Sequence, residues 1–523
     1  MTGTLVRVVC LALLVVAGLT ARPDAQGHAW PASSVVTQTG YVKASTPGEM
    51  EQFGSAVALS ADGNTLAVGA PSDNSGARGI NGNEADDSLF AAGAVYVYVR
   101  DGGAWAREAY IKASNPGQND QFGAVLALSA DGHTLAVGAQ FEDGGATGTN
   151  GNQADESVAE AGAAYVFTRS AGVWSQQAYI KASNTGGAED GDTFGFSLAL
   201  SDDGHTLAVG APSEDSHASG VNGSQQDNSA ASAGAVYVFT RAGGTWSQQA
   251  YIKSDAPPPL TAGDLFGYAV GLSADGSTLG IGVYDEAGSS NVINGPIDGQ
   301  AGGSGAVYVF TRHGATWSRE AYLKASTPDR GDSLGAWVAV SDDGQTLAAG
   351  ALDEDTPATG IDTVKSGNSE LDLSSGAAYV FTRTGTTWSQ QASFKASNTG
   401  KEDWFGVRLA LSGDGNTFAV AAPNEDSGAR GIDGNQADDG APEAGAVYLF
   451  TRRGGMWRQT AYVKASNTEE FDEFGSAIAL DGSGRLMAVG ARYEDGGANT
   501  AAGDELHDSV PDSGAVYLFV HRP

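Results

Sequence analysis

The sequence predicts an all-β fold, a seven-bladed β-propeller of four-stranded antiparallel blades. Three observations predict it. A Phe-Gly pair recurs about every 70 residues, at Phe53, Phe122, Phe194, Phe266, Phe405 and Phe474, and Leu334-Gly335 fills the same slot in a seventh copy. Each copy carries four short runs rich in β-branched and aromatic residues, bounded by Gly, Asp, Asn or Ser. No stretch keeps a helical period. Repetition at a fixed interval is the signature of a fold in which each unit buries its apolar faces against its neighbours.

In the first copy the strand-like runs are Phe53 to Ser60, Leu66 to Pro71, Gly93 to Tyr98, and a fourth that starts near Trp105 and passes through Ala109-Tyr110-Ile111-Lys112. The first run places small residues on one face (Gly54, Ala56, Ala58) and larger apolar ones on the other (Phe53, Val57, Leu59). Both faces are thus expected to be buried near a crowded axis. The fourth run is more polar: in the second copy Ser175, Gln176, Gln177 and Lys181 surround Trp174, Tyr179 and Ile180, which suits an outer edge. Asp-Gly turns follow the first run at Asp62, Asp131, Asp203, Asp275, Asp343 and Asp414, where glycine supplies the positive φ of a tight hairpin. Copy seven has Ser483-Gly484 instead.

These residues resemble FG-GAP repeat proteins, the family that includes the propeller of integrin α chains. The resemblance covers roughly Val35 to Phe519, and Phe-Gly followed by Val-Gly-Ala-Pro is specific when it recurs in seven copies. It implies one four-stranded blade per copy. The last copy stops after Gly514 to Phe519 and lacks a fourth strand, while Gly40 to Ser45 is a spare strand that matches Ala109 to Ser114. The N-terminal strand is therefore expected to complete blade seven and close the ring.

The chain carries 62 acidic against 28 basic residues, a formal net charge of −34. Binding to nucleic acid rests on cations that neutralise phosphates, and an anionic membrane surface repels such a chain, so neither partner is expected. Residues 1–25 have the pattern of an export signal, with Arg7 before an apolar run from Val8 to Leu19 too short to span a bilayer. Residues 26–34 then form a linker and 35–523 a single propeller domain. The only cysteine, Cys10, lies inside the signal, so no disulfide is expected in the mature chain. The expectation is a secreted or cell-surface monomer.

In a four-stranded meander the short turns fall on one face of the disc and the long loops on the other, and long loops on a rigid scaffold are where binding usually sits. Two acidic positions recur on the long-loop side. Two residues before each Phe-Gly slot stands Glu51, Asp120, Asp192, Asp264, Asp332, Asp403 or Asp472. Four residues after the glycine of the Gly-Ala slot stands Asp73, Glu142, Glu214, Glu286, Glu354, Glu425 or Glu494, often followed by a second acid, at Asp143, Asp215, Asp355, Asp426 and Asp495. Two readings stay open. These carboxylates cap turns by accepting backbone N–H bonds, or Asp143, Asp215, Asp355, Asp426, Asp495, Asp120 and Asp192 ligate Ca²⁺. Asn/Asp-Gly-Asn/Ser-x-x-Asp segments at Asn81 to Asp86, Asn150 to Asp155, Asn222 to Asp227 and Asp433 to Asp438 add oxygen side chains around a bend. Integrin-like repeats hold calcium in Asp-x-Asp-x-Asp-Gly between the first two strands. This chain has a short hairpin there, so that site does not carry over.

A lysine recurs at Lys43, Lys112, Lys181, Lys253, Lys324, Lys395 and Lys464, expected to neutralise loop acids or protect an edge. In Arg330-Gly331-Asp332-Ser333 only Arg330 departs from the repeat, so the integrin-ligand tripeptide there is read as coincidence. The seven histidines share no repeat slot, and no nucleophile elbow or phosphate-binding loop occurs. The leading reading is a binding or adhesion scaffold that recognises an extracellular protein or polysaccharide through its acidic long-loop face, with Ca²⁺ as the candidate cofactor. The alternatives are a structural surface or matrix protein, and a carbohydrate-active hydrolase or lyase. The last would be marked by an asymmetric cluster at the central mouth around Trp337 or Trp404, which stand outside the repeat slot of Trp105 and its equivalents.

Overall fold

The computed structural model describes residues 35–186, 191–255, 263–365, 373–497 and 509–522. The expected export signal and linker lie outside them. The described residues form seven antiparallel sheets, each with four main strands in meander order. Blade 1 comprises Ala56–Leu59, Thr65–Ala70, Ala94–Asp101 and Ala104–Ile111, and blades 2 to 6 repeat this pattern. Blade 7 takes Phe474–Leu480, Leu486–Ala491 and Ala515–Arg522 from the end of the chain and Val35–Val42 from its beginning. The closing strand runs antiparallel from Val35↔Arg522 to Val42↔Val516, with a bulge at Thr39. The ring is closed as expected. Among the described residues no helix is long and apolar enough to cross a membrane.

The cores lie between blades. One cluster joins Val95, Val97 and Ile111 of blade 1 to Phe122, Val137 and Phe167 of blade 2. Another joins Leu66, Val68 and Tyr96 of blade 1 to Val516 and Leu518 of blade 7, so the closing junction is packed like the rest. This explains the Phe-Gly slot. Phe194 is fully buried and meets Tyr237 and Phe239 edge-on at 5.4 and 6.0 Å. Gly195 has φ +95°, and a Cβ there would stand 2.4 Å from the carbonyl oxygen of Ala163 in the preceding blade. Leu334 replaces the ring with another fully buried apolar side chain, and Gly335 keeps φ +97°.

Two expectations about strand burial need correction. The inner strand is only half-buried on its larger side: Val57 and Leu59 are half-buried, Val57 lines the axial cavity, and Val125–Leu128 is half-buried throughout. The second strand is the fully buried one in every blade, since blades flank both its faces. The outer edge is also less open than its polarity suggests. The long loop after the second strand returns across it, pairing Ile80 with Ile111, Thr149 with Ile180, Val221 with Ile252 and Ile432 with Val463. In blade 5 the same return is the short strand Gly360–Ile361, paired with Lys395 and Phe394.

Candidate functional site

Strand order puts the Asp-Gly hairpins and the third-to-fourth-strand turns on one face of the disc, and the long loops on the other. Beneath the long loops runs a ring of buried ion pairs. Lys112 Nζ donates to Asp73 at 2.8 Å, and the pairs Lys181–Glu142, Lys253–Glu214, Lys324–Glu286, Lys395–Glu354, Lys464–Glu425 and Lys43–Glu494 measure 2.5 to 2.9 Å. All fourteen side chains are buried. The tyrosine two residues before the lysine donates its hydroxyl to the same carboxylate, for example Tyr179 to Glu142 at 2.7 Å. Blade 5 has Ser393 in that slot, and Thr356 donates to Glu354 instead. Burial drives the lysine pKa values down from the ordinary range against the pull of their carboxylates. The recurring lysine thus neutralises a loop acid, as expected, while the edge-protecting alternative fails because its side chain is buried.

The acids of the second position are therefore anchors of the long loops. The following aspartates pin the far end of the same loops. Asp143, Asp215, Asp426 and Asp495 each accept a backbone N–H from Glu160, Ser232, Glu443 and Asp512 at 2.8 to 2.9 Å, and Asp355 accepts those of Leu373 and Ser374 at 2.8 Å. Each uses Oδ1 only. The acids before Phe-Gly are buried too. Asp120 accepts the Gly117 N–H at 2.6 Å, and Glu51, Asp332, Asp403 and Asp472 make the equivalent bond. Both oxygens of Asp192 lack a partner among the described residues. Burial, opposed in most by the backbone bond, raises Glu51, Asp120 and Asp403 to about 7 and Asp192, Asp332 and Asp472 to about 8. The buried Asp332 cannot present a tripeptide to a receptor. In the Asn/Asp-Gly segments, Asn81, Asn150, Asn222 and Asp433 accept the N–H of a tyrosine on the outer strand at 2.9 to 3.0 Å. Among the described residues no three His, Cys, Asp or Glu side chains are grouped to hold a metal ion.

Sevenfold regularity ends at the axis. Each inner strand begins at the long-loop face, so the first two residues after the Phe-Gly glycine stand at the channel mouth. In blades 1 and 2 these are Ser55-Ala56 and Ala124-Val125, but blade 3 has Phe196, blade 4 Tyr268, blade 5 Trp337 and blade 6 Arg408. The proline slot after Gly-Ala, held by Pro71, Pro212 and Pro423, becomes Tyr284 in blade 4 and Arg492 in blade 7. Phe196, Tyr268, Trp337, Arg408 and Arg492 line a cavity of about 530 Å³ together with Gln52, Gln121 and Gln140. Phe196 and Tyr268 have ring centroids 4.9 Å apart, and Tyr268 stacks on Tyr284 at 4.7 Å and 29°. Tyr284 donates its hydroxyl to Asp353 at 3.1 Å. The Arg408 guanidinium lies 4.5 Å from the centroid of Trp337. Seven non-glycine residues at positive φ stand immediately before the Phe-Gly slots, Gln52, Gln121, Thr193, Leu265, Ser333, Trp404 and Glu473, at φ 51–60°. This costs of order 1–2 kcal/mol each, offset at each junction by two backbone bonds such as Gln121 N–H and Phe122 N–H to Ala91 and Ala92 carbonyls of the preceding blade.

The family model described as FG-GAP repeat matches residues 105–167, 388–450 and 457–519. The chain is an FG-GAP repeat β-propeller. Each match begins at the tryptophan of an outer strand and ends near the third strand of a blade, so it spans a blade junction, the unit that the buried cores also define. No curated protein matches this FG-GAP propeller. Among solved structures it is similar to the β-propeller domain of Myceliophteria thermophila Cps50 (Swd1), at 10% identity and TM-score 0.48 over 93% of this chain and 99% of that one. It is also similar to Kuenenia stuttgartiensis hydrazine synthase, at 12% identity and TM-score 0.46 over 86% and 94%.

Trp337 of the FG-GAP propeller stands at the mouth, where sequence reasoning set its marker, and Trp404 is partly exposed in the slot that holds Gln52 and Gln121 elsewhere. Phe196, Tyr268, Tyr284, Arg408 and Arg492 were missed. Their signal was present, since each replaces a small or proline residue of the repeat.

Proposed function

We propose that this FG-GAP propeller is an exported binding scaffold that takes an extracellular protein or polysaccharide on its long-loop face, over the mouth of the central channel. One observation carries the reading: the blades are nearly identical in their cores and ion pairs, yet diverge at the mouth into a continuous run of aromatic and basic side chains on blades 3 to 7. Packing favours repetition of the same residue in equivalent slots, so departures confined to one solvent-reached concavity favour a ligand. The pinned long loops supply a rigid rim. Calcium belongs to the proposal as a reinforcement of that rim. Asp143, Asp215, Asp355, Asp426 and Asp495 each keep Oδ2 outside the hydrogen bonds described, and that oxygen with nearby loop carbonyls would hold the ion.

The test is a screen of glycan and cell-surface protein arrays with calcium present, followed by the same screen on a variant with Trp337→Ala and Arg408→Gln. Binding that the double variant loses supports the proposal. An absence of binding across the arrays, or binding that the double variant retains, refutes it. Calorimetry with calcium and then with chelator checks the metal separately: a melting shift of several degrees assigns the aspartates to calcium, and no shift leaves them as loop caps.

A further inference from the structure

The charge of the mouth opposes that of the molecule. The chain has more than twice as many acidic as basic residues, yet the cavity lining described contains two arginines and no carboxylate. Arg492 is paired with Glu473 at 2.7 Å, outside the lining. Among the described residues Arg408 has no carboxylate partner: its Nε and Nη1 donate to the backbone carbonyls of Ser476 and Val407 at 3.1 and 3.0 Å, which fixes the guanidinium in the wall. Its Nη2 has no hydrogen-bond partner among the described residues. Burial is the larger cause that lowers Arg408, and the nearby positive charge of Arg492 works in the same direction. Arg408, hydrogen-bonded to main-chain acceptors and packed on Trp337, and Arg492 thus set two guanidinium groups of like charge in one wall of the cavity. The planar fork of arginine matches a carboxylate through paired N–H bonds.

The same cavity has an aromatic wall of Phe196, Tyr268 and Trp337, with Tyr284 stacked behind Tyr268. Gln52, Gln121 and Gln140 complete the far side with amides that both donate and accept. We propose that the mouth binds an acidic saccharide: the sugar-ring carboxylate meets Arg408 and Arg492, the apolar ring faces lie on the aromatic wall, and hydroxyls reach the glutamine amides. This rests on the long-loop-face binding reading above and names the ligand class. A cavity of about 530 Å³ lies within the usual range for small-ligand sites and has room for a short oligosaccharide end.

Titration calorimetry on the full chain with trigalacturonate, its methyl ester and neutral maltotriose tests the inference. Trigalacturonate is expected to bind, with the ester and the neutral sugar at least tenfold weaker. Arg408→Gln is expected to weaken trigalacturonate at least tenfold. Arg492→Pro and Tyr284→Pro restore the residue that blades 1, 3 and 6 carry in that slot, so they should keep the wild-type melting temperature and still weaken binding. Equal binding of acidic and neutral sugars, preference for an aspartate-rich peptide, or unchanged affinity in these variants would overturn the acidic-saccharide assignment. If the acidic sugar fails while the arrays find another ligand that needs Trp337 and Arg408, this inference alone falls. If nothing binds at all, the binding reading falls with it.

Discussion

Replacing Lys43 with Met tests the ring at its seam. Lys43 follows the closing strand, and its Nζ donates to Glu494 at 2.8 Å and to Ser513 Oγ at 2.6 Å. Without it Glu494 stays buried, with the Tyr41 hydroxyl, the Asn467 amide and the Gly496 N–H as its donors. Breaking a buried pair from one side costs about 3–5 kcal/mol, because the remaining charge is uncompensated. Unfolding entropy of roughly 2.1 cal/mol/K per residue, over the roughly 490 residues from Val35 to the end of the chain, gives about 1 kcal/mol/K. The expected fall in melting temperature is therefore about 3–5 °C by calorimetry. Hydrogen exchange should also show the amides of Val35–Val42 losing protection before those of the other strands. The double variant Lys43→Met, Glu494→Gln removes both charges and should recover most of the loss. A single variant that melts like wild type, or a double variant as unstable as the single, would refute the claim that the pair locks the closing strand.

Gly195→Ala must place a side chain at φ +95° against the Ala163 carbonyl, so urea unfolding should show a loss of at least about 1–3 kcal/mol. Glu51, Asp120 and Asp403 have folded pKa values of about 7 and Asp192, Asp332 and Asp472 of about 8, above the ordinary carboxylate range, so these six favour the fold while protonated. Their stabilisation is complete below about pH 4 and is lost as pH rises through 7 to 8. Asp192→Asn, Asp332→Asn and Asp472→Asn together should flatten the fall in melting temperature between pH 5 and 8.5, and an unchanged slope would count against the raised values. Trp246→Phe removes an indole bond to Gln177 in the preceding blade at 2.9 Å and should cost about 0.5–1.5 kcal/mol by denaturant titration. Trp105→Phe should cost less, because blade 7 offers Thr39 where blades 1 to 5 offer Glu or Gln, and the Trp105 indole N–H has no partner among the described residues.

Much of this architecture follows from local chemistry. The Phe-Gly pair is readable because only glycine tolerates the backbone it must adopt, and because a large apolar side chain must fill each junction. The closing strand is readable because its sequence repeats that of Ala109 to Ser114 and its absence from the last copy leaves an unpaired edge. The recurring acids and lysines were visible as positions, whereas their pairing was not. Lys112 and Asp73 are 39 residues apart and meet only because the long loop folds back over the outer strand. Burial of that pair decides between a solvated face and a structural bridge, and burial is a property of the stacked blades.

The mouth shows the same division from the other side. Each of Phe196, Tyr268, Tyr284, Trp337, Arg408 and Arg492 is a visible exception to its repeat slot, but the exceptions lie on five blades and nearly 300 residues of chain. The sequence alone determined the number of blades, the order of strands and the position of the Asp-Gly hairpins, since those depend on residues near one another in the chain. Only the closed ring decided which acids are anchored and which side chains face one cavity, because closure brings the start of every inner strand to a common axis.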